Sequence, residues 1–83
     1  MGEKAFVALC KKEVCDYIRL TRGEIISEND VYVVWLCKTL QNNKALLSTT
    51  IPDGLYYELT YNGDKGELYV DVYEKSLNYT VVV

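Results

Sequence analysis

The chain has no histidine, no run of basic residues, and no apolar stretch near the ~18 residues that a membrane span requires. Each absence removes a class of function. Histidine is the usual general base and the commonest metal ligand, so acid–base catalysis and a metal centre both lose their main residue. No catalytic residue, cofactor or metal is expected. The nine Lys and Arg are scattered among twelve Asp and Glu, for a net charge of −3. Duplex binding draws most of its affinity from neutralised phosphates, and this chain carries no basic stripe to supply it. The acids do not cluster either, which excludes an acidic face mimicking DNA. P-loop, GxGxxG and HExxH patterns are missing.

Cysteine is present in a number that excludes another class. The three residues Cys10, Cys15 and Cys37 are odd in count and form no CxxC pair. A disulfide framework is therefore not expected, and the thiols read as reduced, small apolar residues of a cytoplasmic protein. Residues 1–12 lack the charged-then-apolar order of a signal peptide. No membrane association and no nucleic-acid partner are anticipated.

What is there is a short chain with 49% apolar residues, eight tyrosines, one tryptophan and one phenylalanine. Its 83 residues suffice for one domain. At 9.5 kDa such a domain should expose about 5,000 Å² when folded. A lone core is thin at this size, and oligomerisation is a common remedy, so a homo-oligomer is expected.

Residues 3–22 read as a helix. Phe6, Cys10, Val14, Tyr17 and Ile18 recur at helical spacing, and Gly23 supplies the stop. Neither Gly2 nor Glu3 is a good N-cap. Residues 23–30 form a connector in which Ile25 and Ile26 are expected to pin the chain to the core. From Val31 the period changes to that of strands, at about 31–40, 44–51, 55–61 and 66–74, and the composition of 79–83 suits a short fifth. The fold class is α+β: an N-terminal helix packed on a four- or five-stranded antiparallel meander.

Charge and apolarity predict the register of the last hairpin. A two-residue Asn-Gly loop would set Glu58 opposite Glu67. A four-residue loop pairs Tyr61 with Gly66, Leu59 with Leu68, Tyr57 with Val70 and Leu55 with Val72, and is preferred because like charges opposed across strands are unfavourable. Tyr56, Glu58, Tyr69, Asp71 and Tyr73 then share the second face. In the first strand, regular alternation puts Val31, Val33, Trp35 and Cys37 on one side and Tyr32, Val34, Leu36 and Lys38 on the other. Both sides are apolar, as in a strand buried on both faces. A single helix covers one face only, so the second needs a partner, a ligand, the connector or the C-terminal segment.

The candidate ligand-binding residues are Trp35, Lys38, Gln41, Asn42, Lys44, Tyr56, Tyr69, Asp71 and Tyr73. The aromatic members offer stacking area with a polar tip. Lys38, Gln41, Asn42 and Lys44 gather near the first hairpin, where ammonium and amide groups can address phosphate or ribose oxygens.

The segments VVWLCKTLQN, KALLST, PDGLYYELTYNGDK and LYVDVYEK, within Val33–Lys75, resemble a family of small phage-encoded proteins of unassigned function from phages of Gram-positive bacteria. The resemblance implies a counter-defence setting in the host cytoplasm. Two modes of action then follow without catalysis: a sponge that sequesters a nucleotide-derived immune signal, or an inhibitor that occupies a host enzyme or defence protein.

Overall fold

Four apolar residues spaced by four, Phe6, Cys10, Val14 and Ile18, lie on one stripe of a helix and are all fully buried in the computed structural model, which describes residues 1–83. This helix, α1, spans Glu3–Arg22. Its N-cap is Gly2, with no side-chain cap. At its other end Gly23 takes φ 68° and donates its N–H to Arg19 O at 2.9 Å. Only glycine adopts that left-handed conformation without steric cost.

The connector is organised by polar side chains. Ser27 Oγ accepts from Asn29 N–H, and Asp30 Oδ2 accepts from Ser27 N–H, each at 3.1 Å, around a 3-10 turn at Glu28–Asp30. Ile26 packs against the core, whereas Ile25 is 87% exposed and does not act as the expected pin.

The sheet consists of β1 (Val31–Thr39), β2 (Asn42–Thr49), β3 (Leu55–Asn62) and β4 (Glu67–Glu74), antiparallel in the order β1-β2-β3-β4. The α+β meander anticipated from the sequence is the observed fold. Residues 79–83 form no fifth strand. They are exposed, and Lys75 N–H donates to Gly54 O at 2.8 Å as the chain leaves β4.

Three local features depart from the regular reading. The first turn is Leu40-Gln41, with Leu40 at φ 56°, so Asn42 and Asn43 belong to β2 and not to the loop. In β1, Val33 pairs with Leu47 and Trp35 with Leu46, leaving Val34 as an extra, unpaired residue. This bulge inverts the alternation beyond it. Val31, Val33, Leu36 and Lys38 therefore lie on the helix side, and Tyr32, Trp35 and Cys37 on the other. The predicted grouping of Trp35 and Cys37 with Val31 and Val33 is thereby overturned, as is burial on both faces: Trp35 is 41% and Tyr32 46% exposed.

The third departure is the last hairpin. Its loop has four residues, but they are Gly63–Gly66, and the ladder pairs Asn62 with Glu67, Tyr61 with Leu68, Leu59 with Val70 and Tyr57 with Val72. The partners lie two residues from those expected, while the faces are unchanged. The Asn62 side chain explains the shift. Its Oδ1 accepts from Asp64 N–H at 3.1 Å and from Lys65 N–H at 3.2 Å, and Asn62 O accepts from Gly66 N–H at 2.9 Å. Asn62 thus closes the turn from within the ladder, and Glu58 comes to stand opposite Asp71.

The core lies between α1 and one face of the sheet. It joins the helix stripe to Val31, Ala45, Leu47, Tyr57 and Leu59, with Tyr17 meeting Tyr57 edge-on at a 5.7 Å centroid distance. Burying each large apolar side chain contributes about 1.5–3 kcal/mol. Asn43 anchors the helix start, its Nδ2 donating to Met1 O at 3.2 Å. The other end is clamped to the β2–β3 turn by Arg22, which donates to Asp53 Oδ2 at 2.7 Å.

Two stability predictions follow from these contacts. A Cβ on Gly63 would collide with the backbone oxygen of Gln41, because the two hairpin loops touch there. Gly63→Ala should lower the stability measured by urea unfolding by about 1–3 kcal/mol. The second concerns Asp53. Burial pushes its carboxyl up, but the Leu55 N–H and the Arg22 guanidinium outweigh burial and hold it below the usual carboxylate range. A depressed folded pKa stabilises above the unfolded value near ~4 and is lost as pH falls through the folded value. Asp53→Asn should therefore flatten the acid limb of the stability–pH curve below about pH 4 while lowering stability at neutral pH.

Candidate functional site

Because α1 covers one side of the sheet, the other side is bare, and the pleat decides what it shows. Cross-strand pairs share a face. Trp35 is opposite Leu46, Leu46 opposite Glu58, and Glu58 opposite Asp71, so these four form one row across the sheet. At strand spacings of roughly 4.8 Å the row spans about 14 Å. On one side of it Tyr56 faces Tyr73; on the other, Cys37, Lys44, Thr60 and Tyr69 make a parallel, more polar row.

Two shallow concavities flank the ridge made by Trp35 and Glu58. One, of about 510 Å³, lies among Trp35, Leu46, Tyr56 and Tyr73, with Glu74 and Lys75 at its edge. The other, about 530 Å³, lies among Trp35, Cys37, Thr39, Asn42, Lys44 and Thr60. Both open broadly to solvent.

The structure gathers seven of the nine candidate residues on this face: Trp35, Asn42, Lys44, Tyr56, Tyr69, Asp71 and Tyr73. It separates the other two. Lys38 lies beyond the Val34 bulge, opposite Asn43 on the helix side, and Gln41 sits in the first turn against Gly63. The pair of lysines that could have addressed one anion is thus split by the sheet. Lys44 Nζ is 3.6 Å from Glu58 Oε1, a surface pair of small energetic weight.

Sequence reasoning did not place Leu46 or Glu58 in the site. Leu46 shares parity with Lys44 and could have been found from it. Glu58 became central only through its pairing with Asp71. Directly opposed carboxylates cost roughly 0.2–1 kcal/mol, partly offset by Lys44. The row therefore presents negative charge beside aromatic surface, the reverse of a phosphate cradle.

The Cys10 thiol is pushed up to about 12, first by burial and then by Glu13, and packs as a core residue. Cys15 is raised for the same leading reason. No group of three or more His, Cys, Asp or Glu side chains is placed to hold a metal ion. No helix is long and apolar enough to cross a membrane.

A small α+β domain with one helix-covered and one bare, aromatic sheet face is the class that this geometry defines. The chain belongs to the family of unknown function DUF6275, whose model matches residues 7–83. No curated protein and no solved structure matches it.

The bare face and the core should respond differently to truncation. Trp35→Ala should cost about 1 kcal/mol or less in thermal or urea unfolding, because its ring is half in water, whereas Leu47→Ala should cost about 2–5 kcal/mol.

Proposed function

We propose that the chain is a non-catalytic binding protein whose bare sheet face docks onto another protein. The observation that carries this reading is the row Trp35–Leu46–Glu58–Asp71, flanked by Tyr56 and Tyr73: apolar and aromatic surface beside two carboxylates that face each other, with Lys44 3.6 Å from Glu58 as their one cationic neighbour. Tyrosine and tryptophan are the residues from which protein interfaces draw most of their energy. A partner segment with an apolar anchor and an adjacent Lys or Arg complements the row, the cation relieving the Glu58–Asp71 repulsion. The shallow, open shape suits a macromolecular surface better than a small enclosed ligand. The resemblance to phage-encoded proteins makes a host enzyme or defence protein, met in the host cytoplasm, the expected partner class.

A second reading, capture of a nucleotide-derived signal, is favoured by one observation. The concavity beside Trp35, Tyr56 and Tyr73 has the volume of a small-ligand site. The separation of Lys38 from Lys44 and the acidic row count against an anionic occupant.

Affinity capture from host lysate with the wild type, Trp35→Ala and Tyr56→Ala tests the two readings. Protein docking predicts one partner retained by the wild type and lost about tenfold or more in both variants while they remain folded. Retention by both variants would remove the assignment to this face. A melting temperature raised by ADP-ribose or a cyclic dinucleotide, with no protein captured, would favour the second reading instead.

A further inference from the structure

The two edges of the sheet, β1 and β4, are not alike. Proteins blunt exposed edges with bulges, charged side chains (lysine above all), proline or a covering segment, and the charges of β4 are the carboxylates Glu67, Asp71 and Glu74, all off its helix side or at its ends. β1 carries the Val34 bulge and Lys38. β4 pairs with β3 without irregularity from Glu67 to Glu74 and contains neither lysine nor proline. The chain beyond β4 does not cover its outer side. The bond from Lys75 N–H to Gly54 O holds the departing segment toward β3, and Tyr79–Val83 forms no strand. β4 is also apolar where it is bare. On the helix side Val70 is 39% and Val72 37% exposed, because α1 packs over β1 and β2.

We infer that β4 pairs antiparallel with β4 of a second copy, about a two-fold axis at Val70, joining the two sheets into one. The sequence of β4 is self-complementary in that register. Opposed residues share a face, so a two-fold axis normal to the sheet must set one residue against its own mate. Centred on Val70, Leu68 opposes Val72 on the helix side, while Tyr69 opposes Asp71 and Glu67 opposes Tyr73 on the bare side. Centred on Asp71, four carboxylates would stand in one row, since each Asp71 already faces Glu58. Centred on Tyr69, Glu67 would oppose Asp71. Like charges so opposed are unfavourable. Registers centred nearer either end pair fewer residues of the strand.

The exposed valines of both copies then meet in an apolar strip between the two helices. On the bare side Tyr69 and Tyr73 of each copy adjoin the seam, so the aromatic surface continues across it. The inference does not depend on what that surface binds.

Native mass spectrometry of the full chain at about 100 μM should show a dimer whose melting temperature rises with protein concentration, and Val70→Lys should be a monomer with an unchanged circular-dichroism spectrum and a lower melting temperature that is independent of concentration. Register is read from cysteine cross-linking in a Cys37→Ser background with diamide as oxidant. Val70→Cys should form a covalent dimer on a non-reducing gel, because opposed strand residues lie within disulfide reach. Val72→Cys should not, because its mate is four positions away, about 14 Å along the strand. A wild type that is monomeric, a dimer untouched by Val70→Lys, or equal cross-linking by both cysteine variants would overturn the inference.

Discussion

One apolar stripe serves a sheet with two faces. Phe6, Cys10, Val14 and Ile18 can be buried against only one of them, and the bareness of the rest follows from that shortage. The far face stays bare, and even the near face is incompletely covered, because α1 packs over β1 and β2 and leaves Val70 and Val72 half in water. The folded chain exposes 5,737 Å², well above the ~5,000 Å² expected for its mass. Exposed large apolar groups include Tyr32, Trp35 and Tyr73 of the bare face, Val70 and Val72 of β4, and Tyr79, Val81, Val82 and Val83 of the C-terminal segment. Exposed apolar surface of that kind marks interaction sites.

A single inserted residue decides what the bare face is made of. Without Val34 as an extra residue, Trp35 would point to the helix side and compete with the core for space. With it, Leu36 takes the core position and the indole moves to solvent. The last hairpin shows a comparable trade. The Asn62 side chain accepts two backbone N–H groups in closing its turn, and the resulting register opposes Glu58 to Asp71. Local turn chemistry outweighs a cross-strand repulsion of a few tenths of a kcal/mol to ~1 kcal/mol. The residue pattern is thus least favourable in the isolated chain at the centre of the bare face, where a partner's cation would improve it.

These features bear on chemistry as well as on packing. A phosphate-binding site needs converging donors, and the bulge sends Lys38 away from Lys44 while the register brings two carboxylates together. On the proposed reading, the balance of the face shifts from anion recognition toward an apolar and cationic partner. Tyr56, Tyr69 and Tyr73 serve either purpose, since a phenol ring packs and donates alike. The residues with ordered neighbours, Glu58 and Asp71, distinguish the two.

Much of the architecture was legible in the one-dimensional pattern. The helix was readable because its apolar period and Gly23 are local signals, and the four strands because their residues and turns are. The facial set Tyr56, Glu58, Tyr69, Asp71 and Tyr73 was readable too, since a two-residue slip in register preserves pleat parity. The site was legible as a list of aromatic residues but not as an arrangement. The side on which Trp35 lies depends on a bulge that alternation cannot signal, the identity of Glu58's neighbour depends on which atoms close a turn, and the bareness of β4 depends on where a helix comes to rest. Periodicity is a property of a segment and is written in it. Pairing partners and coverage are relations between segments distant in the chain, and only their packing together settles them.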